Sequence, residues 1–171
     1  MSHWEAQGET DHWYTPKYIF DALGVEFDLD VAAPKEGPLH VPCKAWLYEK
    51  SLETPWHGFV WMNPPFGGRN GLVPWLNKFA DHGNGIALVP DRTSAPWWQD
   101  MADWSDHILF VGHKVKFIRP DGSLGKSPSV GTTLIAMGER ATTALRFAQD
   151  NGLGSCFERK PVGAFVSEKA A

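Results

Sequence analysis

The residues with the clearest chemical potential are Asn63-Pro64-Pro65-Phe66, which close the apolar run Phe59-Val60-Trp61-Met62. That run has the β-branched and aromatic content of a strand buried on both faces. Neither proline can donate to a ladder, so the strand must stop by Asn63. Both prolines have a fixed φ, and Pro65 pushes Pro64 into the extended region. The side-chain carbonyl of Asn63 and the main-chain carbonyl of Pro64 are thereby offered as two acceptors in a rigid turn. Two such acceptors suit an amino group whose lone pair is delocalised into a ring, as in the exocyclic amine of adenine. Holding both N–H bonds draws the nitrogen toward sp³ and frees its lone pair for in-line attack on a methyl group, with little reorganisation of the protein. Phe66 is placed to stack on a base swung out of a duplex. The amine loses its proton after alkylation, so no general base is required. A plain strand ended by a proline turn fits the same tetrapeptide.

Other candidates lie where strands end. Glu26 to Pro34 alternates Phe27, Leu29 and Val31 with acids, which predicts a strand delivering Asp30 and then the small residues Ala32 and Ala33. Ligands of open α/β sheets gather at the carboxyl ends of strands, and small residues there let the backbone come close to them. Gly85 to Pro90 predicts another buried strand, followed by Asp91, Arg92 and Thr93. Arg92 and Thr93 are expected on the DNA backbone or the target base; an ion pair of Arg92 with Asp91 or Asp100 is the competing reading. Across residues 112–128, Lys114, Lys116, Arg119 and Lys126 stand against Asp121, a balance of +3, whereas residues 1–36 hold eight carboxylates and two lysines, a balance of −6. The basic stretch fits phosphate contacts and a solvated hairpin equally well. Arg69 is a further phosphate candidate in the loop Gly67-Gly68-Arg69-Asn70-Gly71, which lacks the spacing and the Lys-Ser/Thr of a phosphate loop.

The elements that must position these residues are well punctuated. Thr15 is a good helix N-cap with Pro16 at the first helical position, Ile19, Phe20 and Leu23 share a face, and Gly24 can close the end. Leu72, Trp75, Leu76, Phe79 and Ala80 predict a helix ending at Gly83. His107 to Val111 and Val115 to Ile118 read as paired strands, Gly131 to Met137 as a last buried strand, and Ala141, Ala144, Leu145 and Ala148 as a helix ending at Asn151-Gly152. Helices alternating with buried strands predict an α/β fold, a mostly parallel sheet with a late antiparallel hairpin and helices on both faces. Residues 1–12 are expected to be a flexible N-terminus, 13–152 a single domain and 153–171 a C-terminal tail.

Asn63-Pro64-Pro65-Phe66 resembles the Asn/Asp-Pro-Pro-Tyr/Phe motif of amino-group methyltransferases that use S-adenosylmethionine. Trp13-Tyr14-Thr15-Pro16, Asp30-Val31-Ala32-Ala33 and the Leu-x-Pro-x-Arg-Thr stretch from Leu88 to Thr93 make the chain similar to the small phage- and prophage-type, Dam-like DNA N6-adenine methyltransferases, from about Trp13 to Met137. The resemblance implies a Rossmann-like methyltransferase sheet, S-adenosylmethionine as cofactor and DNA as partner. It implies that Trp13, Thr15 and Pro16 close over the methionine end of the cofactor, that Asp30 and Ala32 lie near its methionine amino group or ribose, that Glu49 meets its adenine or ribose, and that Asn63 also borders it. The chain departs from larger relatives where Pro34-Lys35-Glu36-Gly37 replaces the usual glycines, where Ser51 stands for an aspartate, and where His113 stands for an arginine. Protein glutamine-N5 methylation and DNA cytosine-N4 methylation pose the same chemical problem, and a catalytically inactive DNA-binding relic is a third reading.

Bulk properties limit the class. At 171 residues, 43% apolar and 21% charged, the chain has the composition of one globular domain. A net charge of −4 argues against binding nucleic acid by general electrostatics alone. No apolar run approaches the roughly 20 residues of a membrane span, and the first residues lack a basic then apolar leader, so a cytoplasmic protein without membrane contact is expected. Cys43 and Cys156 suit neither a disulfide framework nor a zinc site, and no metal is expected.

Overall fold

The structure, a computed structural model, describes residues 13–66 and 71–158. In chain order the elements are α1 (Lys17–Leu23), β1 (Phe27–Asp30), β2 (Cys43–Trp46), β3 (Val60–Met62), α2 (Val73–His82), β4 (Gly85–Pro90), α3 (Pro96–Trp104), β5 (His107–Val111), β6 (Thr132–Met137), α4 (Glu139–Asp150) and β7 (Gly154–Phe157). The strands form one sheet in the order β2-β1-β3-β4-β6-β5-β7.

Period-two alternation sends neighbouring side chains of β3 and β4 into two different cores. Trp61, Ile86 and Leu88 join Phe20, Phe27, Phe59 and Leu145 under α1 and α4. Val60, Met62, Ala87 and Val89 join Leu76, Phe79, Trp98 and Met101 under α2 and α3. Helices therefore cover both faces, as the apolar content of the two strands requires. Aromatic packing is dense in the first core: the Phe27 and Phe59 rings stack at 5.0 Å, and Phe20 meets Trp61 edge-on at 4.8 Å. Gly24 closes α1 with φ 62°, donating its N–H to the Phe20 carbonyl.

Three expectations are corrected. The sheet is mixed rather than mostly parallel. β1–β2, β1–β3 and β3–β4 are parallel, while β4–β6, β5–β6 and β5–β7 are antiparallel, and the longest ladder is the antiparallel one from Gly85↔Met137 to Pro90↔Thr132. The reason is residues 112–131, which contain no helix to carry the chain back across the sheet, so β6 starts from the edge where β5 ended and runs the opposite way. The expected hairpin between 107–111 and 115–118 does not form: β5 lies between β6 and β7, and Ile118 instead bridges Tyr14 and Leu124. The segment from Leu153, expected to be a tail, contains the edge strand β7 as far as Phe157.

Candidate active site

β1, β2, β3 and β4 run parallel, and β5, antiparallel to β6, points the same way as β4, so all five present their carboxyl ends on one edge. Asp30 and Ala32, Glu49, Asn63 to Phe66, Arg92 and Thr93, and the basic residues 114–126 each follow one of these ends. The chain leaves β1 toward β2 on one side and returns to β3 on the other. That reversal makes the gap between β1 and β3 the topological switch point, where open α/β sheets bind ligands.

Asp30 and Asn63 flank that gap. Asp30 pairs in register with Trp61, and the Val31 N–H donates to the Trp61 carbonyl at 3.0 Å. Only 4% of Asp30 is exposed, and among the described residues its carboxylate has one hydrogen bond, from the Ala32 N–H at 3.1 Å. Burial pushes its pKa up to about 7, and the Ala32 N–H offsets only part of this. Cys43 is half-buried, and its own desolvation, with the Asp30 charge adding to it, pushes the thiol up to about 11, which keeps it protonated and unreactive.

Asn63 is half-buried, Pro64 is buried, and Pro65 and Phe66 are exposed, so the turn opens to solvent rather than into the core. The Asn63 Nδ2 donates to Thr15 Oγ1 at 3.1 Å. Its Oδ1 and the Pro64 carbonyl have no hydrogen-bond partner among the described residues. Thr15 is not the helix cap it was expected to be: Pro16 occupies that position in extended conformation, and no side chain caps α1. Because Pro16 begins the helix, the Thr15 hydroxyl is released toward Asn63.

The basic segment folds back on itself. Ile118 bridges Leu124, the Arg119 N–H donates to the Ser123 carbonyl, and the Gly125 N–H donates to the Phe117 carbonyl. Tyr14 and Ile118 exchange both backbone hydrogen bonds, at 2.8 and 2.9 Å. Arg119 turns inward, donating to Ser123 Oγ and the Leu124 carbonyl and facing the Trp13 ring at 5.5 Å. Lys114 is tied to the Ser129 carbonyl at 3.1 Å, whereas Lys116 and Lys126 are exposed without a partner among the described residues. Arg92, Thr93 and Glu49 are exposed on the same edge. Arg69 lies outside the described residues. A groove of about 530 Å³ between the end of α1 and α4, lined by Leu23, Arg140 and Phe147 among others, opens on the opposite edge and holds none of these residues.

The family model for DNA N-6-adenine-methyltransferase (Dam) matches residues 3–143. The chain belongs to that family. No curated protein and no solved structure matches it. Membership in the Dam family gives DNA adenine-N6 methylation as its general activity, and the matched span covers every edge loop described above. No helix among the described residues is long and apolar enough to cross a membrane, and no group of three His, Cys, Asp or Glu among them could hold a metal ion.

Two features of this Dam-family chain were not apparent from spacing. Ser51, where an aspartate was expected, is buried with its hydroxyl on the Val31 carbonyl and the Trp56 indole N–H on its own carbonyl, so it ties the loop after β2 to the loop after β1. Gly125 lies beneath Trp13, where an added Cβ would stand 2.7 Å from the ring. The signal for Gly125 was its place in a polar loop after Pro120 and Gly122, but its partner is 112 positions away by residue number.

Proposed function

We propose that the chain transfers a methyl group from S-adenosylmethionine to N6 of adenine in DNA, and that Asn63 and Pro64 grip the amine. The observation that carries this is the pair of unpartnered carbonyls, Asn63 Oδ1 and Pro64 O, on an open turn at the sheet's switch point beside a buried carboxylate. Asp30 suits the cofactor: a carboxylate 4% exposed with a single backbone donor has capacity left for an ammonium group or for ribose hydroxyls, both of which S-adenosylmethionine carries. When bound, the cofactor supplies an electrophilic methyl on a sulfonium.

The protein's part is positional and electrostatic. The two carbonyls accept the N–H bonds of the amine and stabilise the positive charge that grows on nitrogen as it attacks. The prolines keep both acceptors in place before the base arrives, so reorganisation is small. Phe66, 38% exposed, stacks on the extruded base. Pro65 holds the turn rigid between Pro64 and Phe66. Ala32 leaves room at the end of β1 and donates to Asp30, while Glu49 is the candidate for the nucleoside end of the cofactor. Lys116, Lys126, Arg92 and Thr93 face the DNA backbone, Lys114 and Arg119 shape the hairpin, and Arg69 is a phosphate candidate from its sequence alone.

The test is incubation of purified protein with labelled cofactor and unmethylated DNA, followed by nucleoside mass spectrometry. N6-methyladenine is expected, and Asn63→Ala should lower kcat by about 10²–10³-fold, the loss typical of one preorganised donor or acceptor, with cofactor affinity nearly unchanged. Label in N4-methylcytosine or in protein glutamine, or normal turnover by Asn63→Ala, overturns the reading.

A further inference from the structure

One hydroxyl anchors the Asn63 amide. The two ends of an amide are nearly equal in shape, so with nothing on Nδ2 the group can rotate and put donors where an acceptor is needed. A target amine is itself a donor, and it loses one of its two acceptors when the amide is reversed. Thr15 Oγ1, on a residue 4% exposed, accepts from Nδ2 at 3.1 Å and leaves Oδ1 without a partner among the described residues. Thr15 is in turn fixed from both sides. Pro16 restricts it to extended backbone, and Tyr14 is held to Ile118 by two hydrogen bonds at 2.8 and 2.9 Å. Trp13 covers Gly125 and faces the Arg119 guanidinium at 5.5 Å. The strap Trp13-Tyr14-Thr15 is therefore bridged at Tyr14 to the basic hairpin at residues 117–125, with the Thr15 side chain reaching Asn63.

We propose that Thr15 is a positioning residue that orients the Asn63 amide, and that the basic hairpin sets its position through the strap, so that the DNA-facing loop and the acceptor move as one unit. The inference rests on Asn63 as the acceptor, and it gives Thr15 a task separate from cofactor contact.

The experiment follows the Asn63 side-chain amide by NMR in the cofactor-free protein, and measures methyl transfer and S-adenosylmethionine binding for Thr15→Val, Thr15→Ser and Gly125→Ala. Thr15→Val should speed exchange of the Asn63 amide protons and lower kcat, each by about tenfold, the worth of one hydrogen bond, with KM for DNA unchanged. Thr15→Ser should restore both. Gly125→Ala, whose Cβ would meet the Trp13 ring at 2.7 Å and the Phe117 carbonyl at 2.8 Å, should lower kcat from outside the site. Unchanged amide exchange in Thr15→Val overturns the proposal, and so does an intact kcat. Failure of the functional reading is distinct: the wild type then transfers no methyl to adenine, while amide exchange still decides whether Thr15 orients Asn63.

Discussion

Replacing Asp30 with asparagine should stabilise the free protein while damaging its function. The carboxyl is buried, and its pKa is raised from the ordinary 3.8 to about 7. The folded state therefore binds this proton more tightly than the unfolded chain, and stability falls as pH rises from about 4 to about 7. Once the group is ionised, the cost at about 1.4 kcal/mol per tenfold change in proton affinity is about 4 kcal/mol, an upper bound. Asparagine is nearly isosteric, can still accept from the Ala32 N–H, and carries no charge at any pH. In urea unfolding without cofactor, Asp30→Asn should gain up to about 4 kcal/mol over the wild type at pH 8, about 2 kcal/mol at pH 5, and nothing below pH 4. Calorimetry should show the opposite for S-adenosylmethionine: wild-type affinity rises between pH 6 and 8 as Asp30 ionises, and the variant loses about 100-fold and the pH dependence, in line with removing one partner of a buried charged pair. The reasoning is refuted if Asp30→Asn is destabilised at pH 8, or if its advantage is the same at pH 5 and pH 8.

Phe66→Ala should raise KM for DNA by about 10–100-fold, the range for losing one base–aromatic stack, leave cofactor Kd unchanged, and be rescued by Phe66→Tyr; an unchanged KM removes Phe66 from base engagement. Lys116→Gln with Lys126→Gln should reduce the slope of log affinity for DNA against log salt by about 1.8, with weakening uniform across sequences; an unchanged slope places the DNA elsewhere. Gly85→Ala should destabilise by about 1–3 kcal/mol, lowering Tm by several degrees, because the added Cβ would stand 2.4 Å from the Val60 carbonyl and 2.6 Å from its Cγ2. Gly85 begins β4, at the edge away from the Asn63–Phe66 turn, so the folded fraction should keep full specific activity.

Local patterning went a long way toward the elements. The apolar runs at 59–62 and 85–90, the spacing of Ile19, Phe20 and Leu23, and the closing glycines Gly24 and Gly83 each depend on neighbours within a few residues, and each appears in the structure close to where the sequence puts it. Strand direction was less accessible. It depends on whether a connection crosses the sheet, and the helix-free stretch 112–131, with its prolines and glycines, did carry that signal against a mostly parallel sheet.

The sequence by itself determined the rigid turn at Asn63-Pro64-Pro65-Phe66, since proline geometry is a property of the chain, and it determined that Asp30 and Arg92 follow strands. Tertiary structure alone decided what those groups experience. A carboxylate at the end of a strand is ordinary until packing removes its water, and only burial raises Asp30 to about 7. Thr15 and Asn63 are 48 positions apart, and Trp13 and Gly125 further still, so their contacts exist only once α1, β3 and the hairpin share an edge. Propensity and punctuation act over one or two turns of chain, whereas the orientation of an amide and the charge on a buried acid are set by whichever distant atoms the fold brings within hydrogen-bond reach.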